Sequence, residues 1–152
     1  MKVLTLLFVF CLAGAAVAGE PFHALDRGQA AVLADPAAHA VPTVVALWSA
    51  DCAYCKKNLA VFAALARAHP GLRLVTVATE PVAEAEAEPL DRLAVPGPRY
   101  AYGMEAPEAL AHALDGRWRG ELPRTLLFDG RGGCVAVSGV IGEAEARQAL
   151  GF

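Results

Sequence analysis

Two cysteines separated by two residues lie where a strand pattern gives way to a helix pattern. Residues Thr43–Trp48 form a continuous β-branched and apolar run, which is typical of a strand buried on both faces of a parallel sheet. From residue 53 to residue 69 the apolar side chains recur at the spacing of an amphipathic helix, which Pro70 and Gly71 end. Cys52 and Cys55 occupy the junction, so the chain is predicted to be an α/β protein with paired thiols at a strand-to-helix turn.

This placement favours reactive chemistry at the first sulfur. Two intervening residues at a helix start let both sulfurs meet within one turn. Cys52 then faces the unpaired amides and the positive dipole end of the helix, which stabilise a thiolate. Cys55 is predicted to be more buried, the position of a resolving thiol. Lys56 and Lys57 follow directly, either favouring a nearby thiolate or simply exposed.

Three other interpretations of the cysteine pair remain open. A structural disulfide would close a very small loop and therefore stabilise little. Half of a zinc site would need a second Cys-x-x-Cys or a His pair, and neither follows in the sequence. Two thiolates also suit copper(I). The four histidines show no ligand spacing, and we expect no cofactor and no metal.

The remaining patterns complete a mixed sheet. Strands are predicted over residues 72–78, Arg124–Phe128 and Cys134–Ser138, the last two joined by a glycine-rich turn as a hairpin. Short helices are predicted over residues 25–33, Pro107–Leu114 and Glu143–Leu150. The expected fold is a central mixed β-sheet flanked by helices, with a helical insertion in residues 80–121 between the second central strand and the hairpin.

The first eighteen residues have the pattern of an export signal. Met1 and Lys2 precede an apolar stretch that ends in small residues, with an Ala-x-Ala site at Ala18. We expect a cleaved signal peptide over residues 1–18 and one domain over residues 19–152, exported to the periplasm or another oxidising compartment. An uncleaved N-terminal membrane anchor is the alternative, for which the apolar run is short.

Charge and length exclude other classes. The formal net charge is −3, without the basic face that a general nucleic-acid binder needs, so we expect no nucleic-acid partner. A chain of 152 residues suits one domain, and we expect it to be a monomer.

Residues 44–57 resemble the active-site region of thioredoxin-fold proteins, and the exported TlpA-like thiol–disulfide oxidoreductases are the most similar group. Trp48, four residues before Cys52, matches the tryptophan of that region. Residues 121–129 resemble the cis-proline loop and the strand that follows it. The resemblance implies that the Leu122–Pro123 bond is cis, packs against the cysteine pair and leaves the Leu122 backbone free to pair with an extended substrate peptide.

Some positions depart from the resemblance. Ala46 stands where thioredoxin carries a buried acid. Glu80, at the end of the second strand, is a candidate replacement, although a solvated strand-end charge is the alternative. Ala53 and Tyr54 separate the cysteines and are expected to tune the redox potential. Asp51 is expected to cap the helix.

The resemblance implies an exported enzyme that exchanges a Cys52–Cys55 dithiol or disulfide with protein substrates. We expect it to act as a reductant, recharged by an upstream membrane or soluble thiol reductant. A disulfide oxidase or isomerase on the same fold is one alternative, and a non-catalytic copper(I) delivery module is another. Cys134, placed by the hairpin on the order of 20 Å from the pair, is predicted to be a buried core thiol.

Overall fold

The computed structural model describes residues 20–152. The predicted signal peptide and its cleavage site therefore lie outside the described residues. The strands are β1 Phe22–Leu25, β2 Thr43–Trp48, β3 Arg73–Pro81, β4 Arg99–Tyr102, β5 Arg124–Phe128 and β6 Cys134–Ser138. The helices are α1 Arg27–Ala34, α2 Ala53–Ala68, α3 Glu88–Arg92, α4 Pro107–Leu114 and α5 Glu143–Leu150, with a 3-10 turn at Pro36–Ala38.

The strands form one mixed sheet in the order β1-β4-β3-β2-β5-β6. The first four strands of that order are mutually parallel, whereas β5 pairs antiparallel with both β2 and β6. All six residues of β2 are buried, because the strand has neighbours on both edges and helices on both faces. The prediction of a central mixed sheet flanked by helices is confirmed.

The alternating side chains of β2 divide the core into two layers. Val44, Ala46 and Trp48 join the core layer that contains side chains of α2 and α5. Val45 and Leu47 join the opposite layer, which contains side chains of α1 and α4. This alternation follows from the two-residue period of a strand. Trp48 therefore lies on the same side of the sheet as the helix that begins at the cysteines.

Two short strands were not predicted. The segment 80–121, expected to be a helical insertion, contains α3 and α4 but also β4, which lies between β1 and β3. Phe22–Leu25 forms β1, so the expected helix over residues 25–33 begins later, at Arg27. Each of these strands has only four residues, too few to show a period. Their conformation depends on pairing with distant strands.

The prediction of a buried Cys134 is wrong. Cys134 is an exposed free cysteine at the start of β6. The strand lies at the edge of the sheet, and its residues are all exposed or half-buried. Pairing with the buried Phe128 therefore does not bury the thiol.

Within residues 20–152, none of the helices is long and apolar enough to cross a membrane.

Candidate active site

The cysteine pair forms a disulfide at the amino end of α2. The Cys52–Cys55 bond joins residues whose Cα atoms are 5.2 Å apart. Cys52 itself is the N-cap residue, and its Sγ accepts a hydrogen bond from the Cys55 amide at 3.1 Å. The expectation that Asp51 caps the helix is therefore wrong, because the chain enters the helix one residue later. Cys52 is half-buried and Cys55 is 1% exposed, so the first sulfur is the more accessible one.

The carboxyl end of β3 holds the turn that precedes the cysteines. One oxygen of Glu80, Oε1, accepts a hydrogen bond from the Ala50 amide at 2.9 Å. The hydroxyl of Thr79 donates to the Trp48 carbonyl at 3.4 Å. Glu80 is half-buried. Its carboxylate is thus bonded to the strand-to-helix turn instead of standing free at the strand end.

The residues around the disulfide differ sharply in exposure. Trp48 is 1% exposed and forms part of the core beneath the pair. Ala53 and Tyr54 face outward, and Tyr54 is 59% exposed. The Lys57 ammonium lies 5.0 Å from the centre of the Tyr54 ring, within range of a cation–π contact, while Lys56 is half-buried. The surface beside Cys52 is therefore formed by a small side chain, an aromatic ring and a positive charge.

The Leu122–Pro123 loop packs against the same core as the cysteines. The peptide bond between these residues is cis, Pro123 is buried and Leu122 is half-buried. Both Leu122 and Cys52 pack against the core layer that contains Trp48 and Cys55. A groove of about 240 Å³ opens beside Leu122 and is lined in part by Thr79 and Trp118.

Four polar side chains hold the loop from its outer side, and we call them the loop clamp: Asp115, Glu121, Arg124 and Ser138. Arg124 forms an ion pair with Asp115, and these side chains are only 11% and 10% exposed. Arg124 also donates to the Ser138 hydroxyl at 2.8 Å, and that hydroxyl donates to Glu121 at 2.5 Å. The residues on either side of Leu122–Pro123 are thus both tied to β6.

The loop clamp lowers the pKa of both carboxyl groups. Burial acts to raise the pKa of Asp115, but the hydrogen bonds from Arg124 and from the Arg117 amide, with the charges of both arginines, hold it below its usual value. The Ser138 hydroxyl is the main cause of the lowered pKa of Glu121. Sequence reasoning missed this cluster. Its one signal was Arg124, a charge at the start of an otherwise uncharged strand.

Cys134 lies at the opposite end of β6 from Ser138 and is not part of this site. Partial burial, and to a smaller extent the negative charge of Asp115, raises the pKa of the Cys134 thiol. The part of the chain that the structure describes holds no group of three or more His, Cys, Asp or Glu side chains placed to bind a metal ion.

Sheet order, the cysteine pair at the start of α2 and the Leu122–Pro123 loop together define the thioredoxin-like fold. Comparison with solved structures finds a secreted Mycobacterium tuberculosis disulfide oxidoreductase, described as homologous to Escherichia coli DsbE, with a TM-score of 0.56 and 14% identity. The match covers 74% of this chain and 81% of that chain.

Two further solved structures have the same fold. A thiol:disulfide interchange protein of the thioredoxin family from Chlorobium tepidum TLS has a TM-score of 0.56 and 16% identity, covering 88% of this chain and 96% of that chain. A thioredoxin-related protein from Neisseria meningitidis serogroup B has a TM-score of 0.56 and 19% identity, covering 73% and 83%. No family model matches the chain. No curated protein matches it either.

The Asp115–Arg124 ion pair is expected to stabilise the folded protein at neutral pH and to lose this effect in acid. The variant Asp115→Asn leaves a nearly buried guanidinium without its counter-charge and should lower the free energy of unfolding by about 3 kcal/mol at pH 7. Because the pKa of Asp115 is lowered by folding, its contribution is present above the unfolded pKa and is lost as the pH falls below about 4.

Urea unfolding of the oxidised protein at pH 7, 5 and 3 measures this difference. Glu88→Gln is the control, because the Glu88–Arg92 pair is exposed and should contribute at most about 0.5 kcal/mol. A loss for Asp115→Asn no larger than that of the control at pH 7, or a difference from wild type that does not narrow at pH 3, would contradict the prediction.

Proposed function

We propose that this chain is a thiol–disulfide oxidoreductase that exchanges the Cys52–Cys55 pair with protein substrates. The observation that carries the proposal is the disulfide itself, located at the amino end of α2 with a half-buried first sulfur and a buried second one. The fold supports it, because the solved structures of the same fold include one protein described as a disulfide oxidoreductase and one described as a thiol:disulfide interchange protein.

In the reductive direction the thiolate of Cys52 attacks one sulfur of a substrate disulfide. The substrate S–S bond breaks, a mixed disulfide forms, and one substrate cysteine leaves and takes up a proton. The thiolate of Cys55 then attacks Cys52 Sγ, which restores the Cys52–Cys55 disulfide and releases the second substrate thiol. Two electrons pass to the substrate. The Cys55 amide, 3.1 Å from Cys52 Sγ, supplies a donor that stabilises the attacking thiolate.

The substrate peptide is proposed to lie along Leu122 in an extended conformation. Backbone groups at the Leu122–Pro123 loop pair with it as an added strand. Trp48 supports the cysteine turn from below, and Ala53 and Tyr54 form the surface that faces the substrate. The exposed aromatic ring of Tyr54 provides apolar area for contact with a partner.

The disulfide exchange is tested by two cysteine variants in the insulin reduction assay. Cys52→Ser removes the attacking sulfur and should abolish reduction. Cys55→Ala leaves the mixed disulfide unresolved and should accumulate covalent substrate complexes, visible on non-reducing gels and identified by mass spectrometry. Cys134→Ser, far from the pair along β6, is the matched control and should behave as wild type. Undiminished activity in Cys52→Ser would overturn the assignment.

Glu80 is proposed to act by holding the turn at Ala50. If so, Glu80→Gln keeps an oxygen acceptor for the Ala50 amide and should reduce insulin at a rate within about threefold of wild type. Glu80→Ala removes the acceptor and should slow the reaction about tenfold, as expected for one lost hydrogen bond to a charged group. The measurement is kcat/KM from pH 5 to 9. Equal loss in both variants, with a changed pH profile for Glu80→Gln, would instead show that the Glu80 carboxyl group transfers a proton during the reaction, as a replacement for the buried acid of thioredoxin.

We further propose that the protein is exported through a cleaved signal peptide at residues 1–18 and works as a monomeric domain over residues 19–152. The site is then placed in the periplasm or an equivalent compartment. An upstream thiol reductant, soluble or membrane-bound, must return the pair to the dithiol after each turnover. The Lys56 and Lys57 charges beside the pair favour the thiolate form and partners with an acidic surface.

The direction of electron flow is tested by the redox potential of the pair. A reductant should equilibrate with glutathione at a potential below about −200 mV, on the side of thioredoxin at about −270 mV. A value near the −120 mV of strong exported oxidants would reverse the proposed direction and assign a disulfide oxidase or isomerase. Tryptophan fluorescence of Trp48, which packs in the same core layer as Cys55, offers the readout.

A further inference from the structure

A buried amide lies one turn beyond the cysteine pair in α2. Asn58 is 2% exposed and occupies the buried face of the helix together with Cys55, Leu59 and Phe62. A polar group that is taken out of water destabilises the fold unless it forms hydrogen bonds. The buried Asn58 side chain, three residues after Cys55, therefore needs hydrogen-bond partners. No pattern in the sequence indicates which residues these partners are.

Both ends of the Asn58 amide are bonded to the segment that joins β6 to α5. Nδ2 donates to the Gly139 carbonyl at 3.0 Å, and Oδ1 accepts from the Ile141 amide at 3.1 Å. The Gly139 amide in turn donates to the Pro123 carbonyl at 2.9 Å. A continuous path of hydrogen bonds thus runs from the cysteine-bearing helix through Gly139 to the Leu122–Pro123 loop.

Strand pairing in the sheet does not fix the distance between the cysteine pair and the Leu122–Pro123 loop. The ladder between β2 and β5 ends at the pair Leu47 and Arg124, before either the cysteines or the Leu122–Pro123 bond is reached. The loop clamp ties the loop to β6 but not to α2. Among the hydrogen bonds of residues 20–152, those that join the segment 139–141 to α2 are the two made by Asn58.

We propose that Asn58 is a positioning residue that fixes the Leu122–Pro123 loop relative to the cysteine pair, so that a peptide bound along Leu122 presents its disulfide to Cys52. This inference rests on the proposed function. An asparagine suits the role because one neutral group offers both a donor and an acceptor. A carboxylate would repel the Gly139 carbonyl and add negative charge near the thiolate.

The test separates peptide positioning from sulfur chemistry by comparing two disulfides. The wild-type reference and every variant carry Cys134→Ser in this test, because the exposed Cys134 thiol would also react with a small disulfide. Insulin must bind along the loop, whereas the small aromatic disulfide 5,5′-dithiobis(2-nitrobenzoate) then needs only an accessible Cys52. In Asn58→Leu, of similar volume, the kcat/KM for insulin should fall at least tenfold, mainly through a higher KM. The rate with the small disulfide should stay within about twofold of wild type. Ala63→Gly, a buried substitution further along the same helix, is the matched control and should leave both rates within twofold.

A second readout does not depend on activity. Hydrogen exchange of the Gly139 amide, which bonds to Pro123, should accelerate at least tenfold in Asn58→Leu and remain unchanged in Ala63→Gly. If Asn58→Leu does not fold, Asn58→Ser, which keeps one polar atom, is measured in its place with the same expectations.

Each outcome decides between the two hypotheses. Equal insulin kinetics in wild type and variant, an equal loss with both disulfides, or unchanged exchange at Gly139 would overturn the positioning role alone. A wild-type protein that reacts with neither disulfide would overturn the proposed function and this inference with it.

Discussion

The antiparallel pairing of β2 with β5 is the constraint on which the site depends. Because the two strands run in opposite directions, the end of β2 at Leu47 pairs with the start of β5 at Arg124. The cysteines follow the first strand and Pro123 precedes the second, so two segments about seventy residues apart meet at one edge of the sheet. The burial of all of β2 makes any slip of this register costly, since a shift of one residue would turn its apolar side chains to the wrong layers.

Beyond the last residue pair of β2 and β5, polar contacts hold the segments that form the site. Glu80 holds the turn before Cys52, and the loop clamp holds the residues on both sides of Leu122–Pro123. Asn58 connects α2 to the segment that follows β6. Hydrogen bonds are directional and weaken steeply when the angle at the hydrogen falls below about 120°, whereas apolar contacts are non-directional. These directional contacts suit the proposed alignment of the cysteine sulfurs with the backbone of a substrate peptide.

Much of the fold could be predicted from the sequence, and the reasons for the exceptions are physical. β2, β5 and β6 were predicted with their observed bounds because each is a run with a clear local pattern closed by turn residues. β1 and β4 were not, because four residues carry no period and their pairing comes from β3 and from each other. The prediction that Cys134 is buried was wrong, because position along a hairpin does not reveal which of its strands forms the edge of the sheet. Asn58 and Ser138 act through partners about 80 and 15 residues away, which a single sequence does not show.

The exposed Cys134 gives the molecule an internal reference for thiol chemistry. Its raised pKa keeps it mostly protonated near neutral pH, and a protonated thiol is slow to react with haloacetamides. Under the proposed function, a reduced sample exposed to such a reagent is expected to be labelled quickly at Cys52 and slowly at Cys134. The ratio of the two labelling rate constants, obtained by mass spectrometry from the fraction of each cysteine left unlabelled, reports the thiolate character of Cys52 independently of the protein and reagent concentrations.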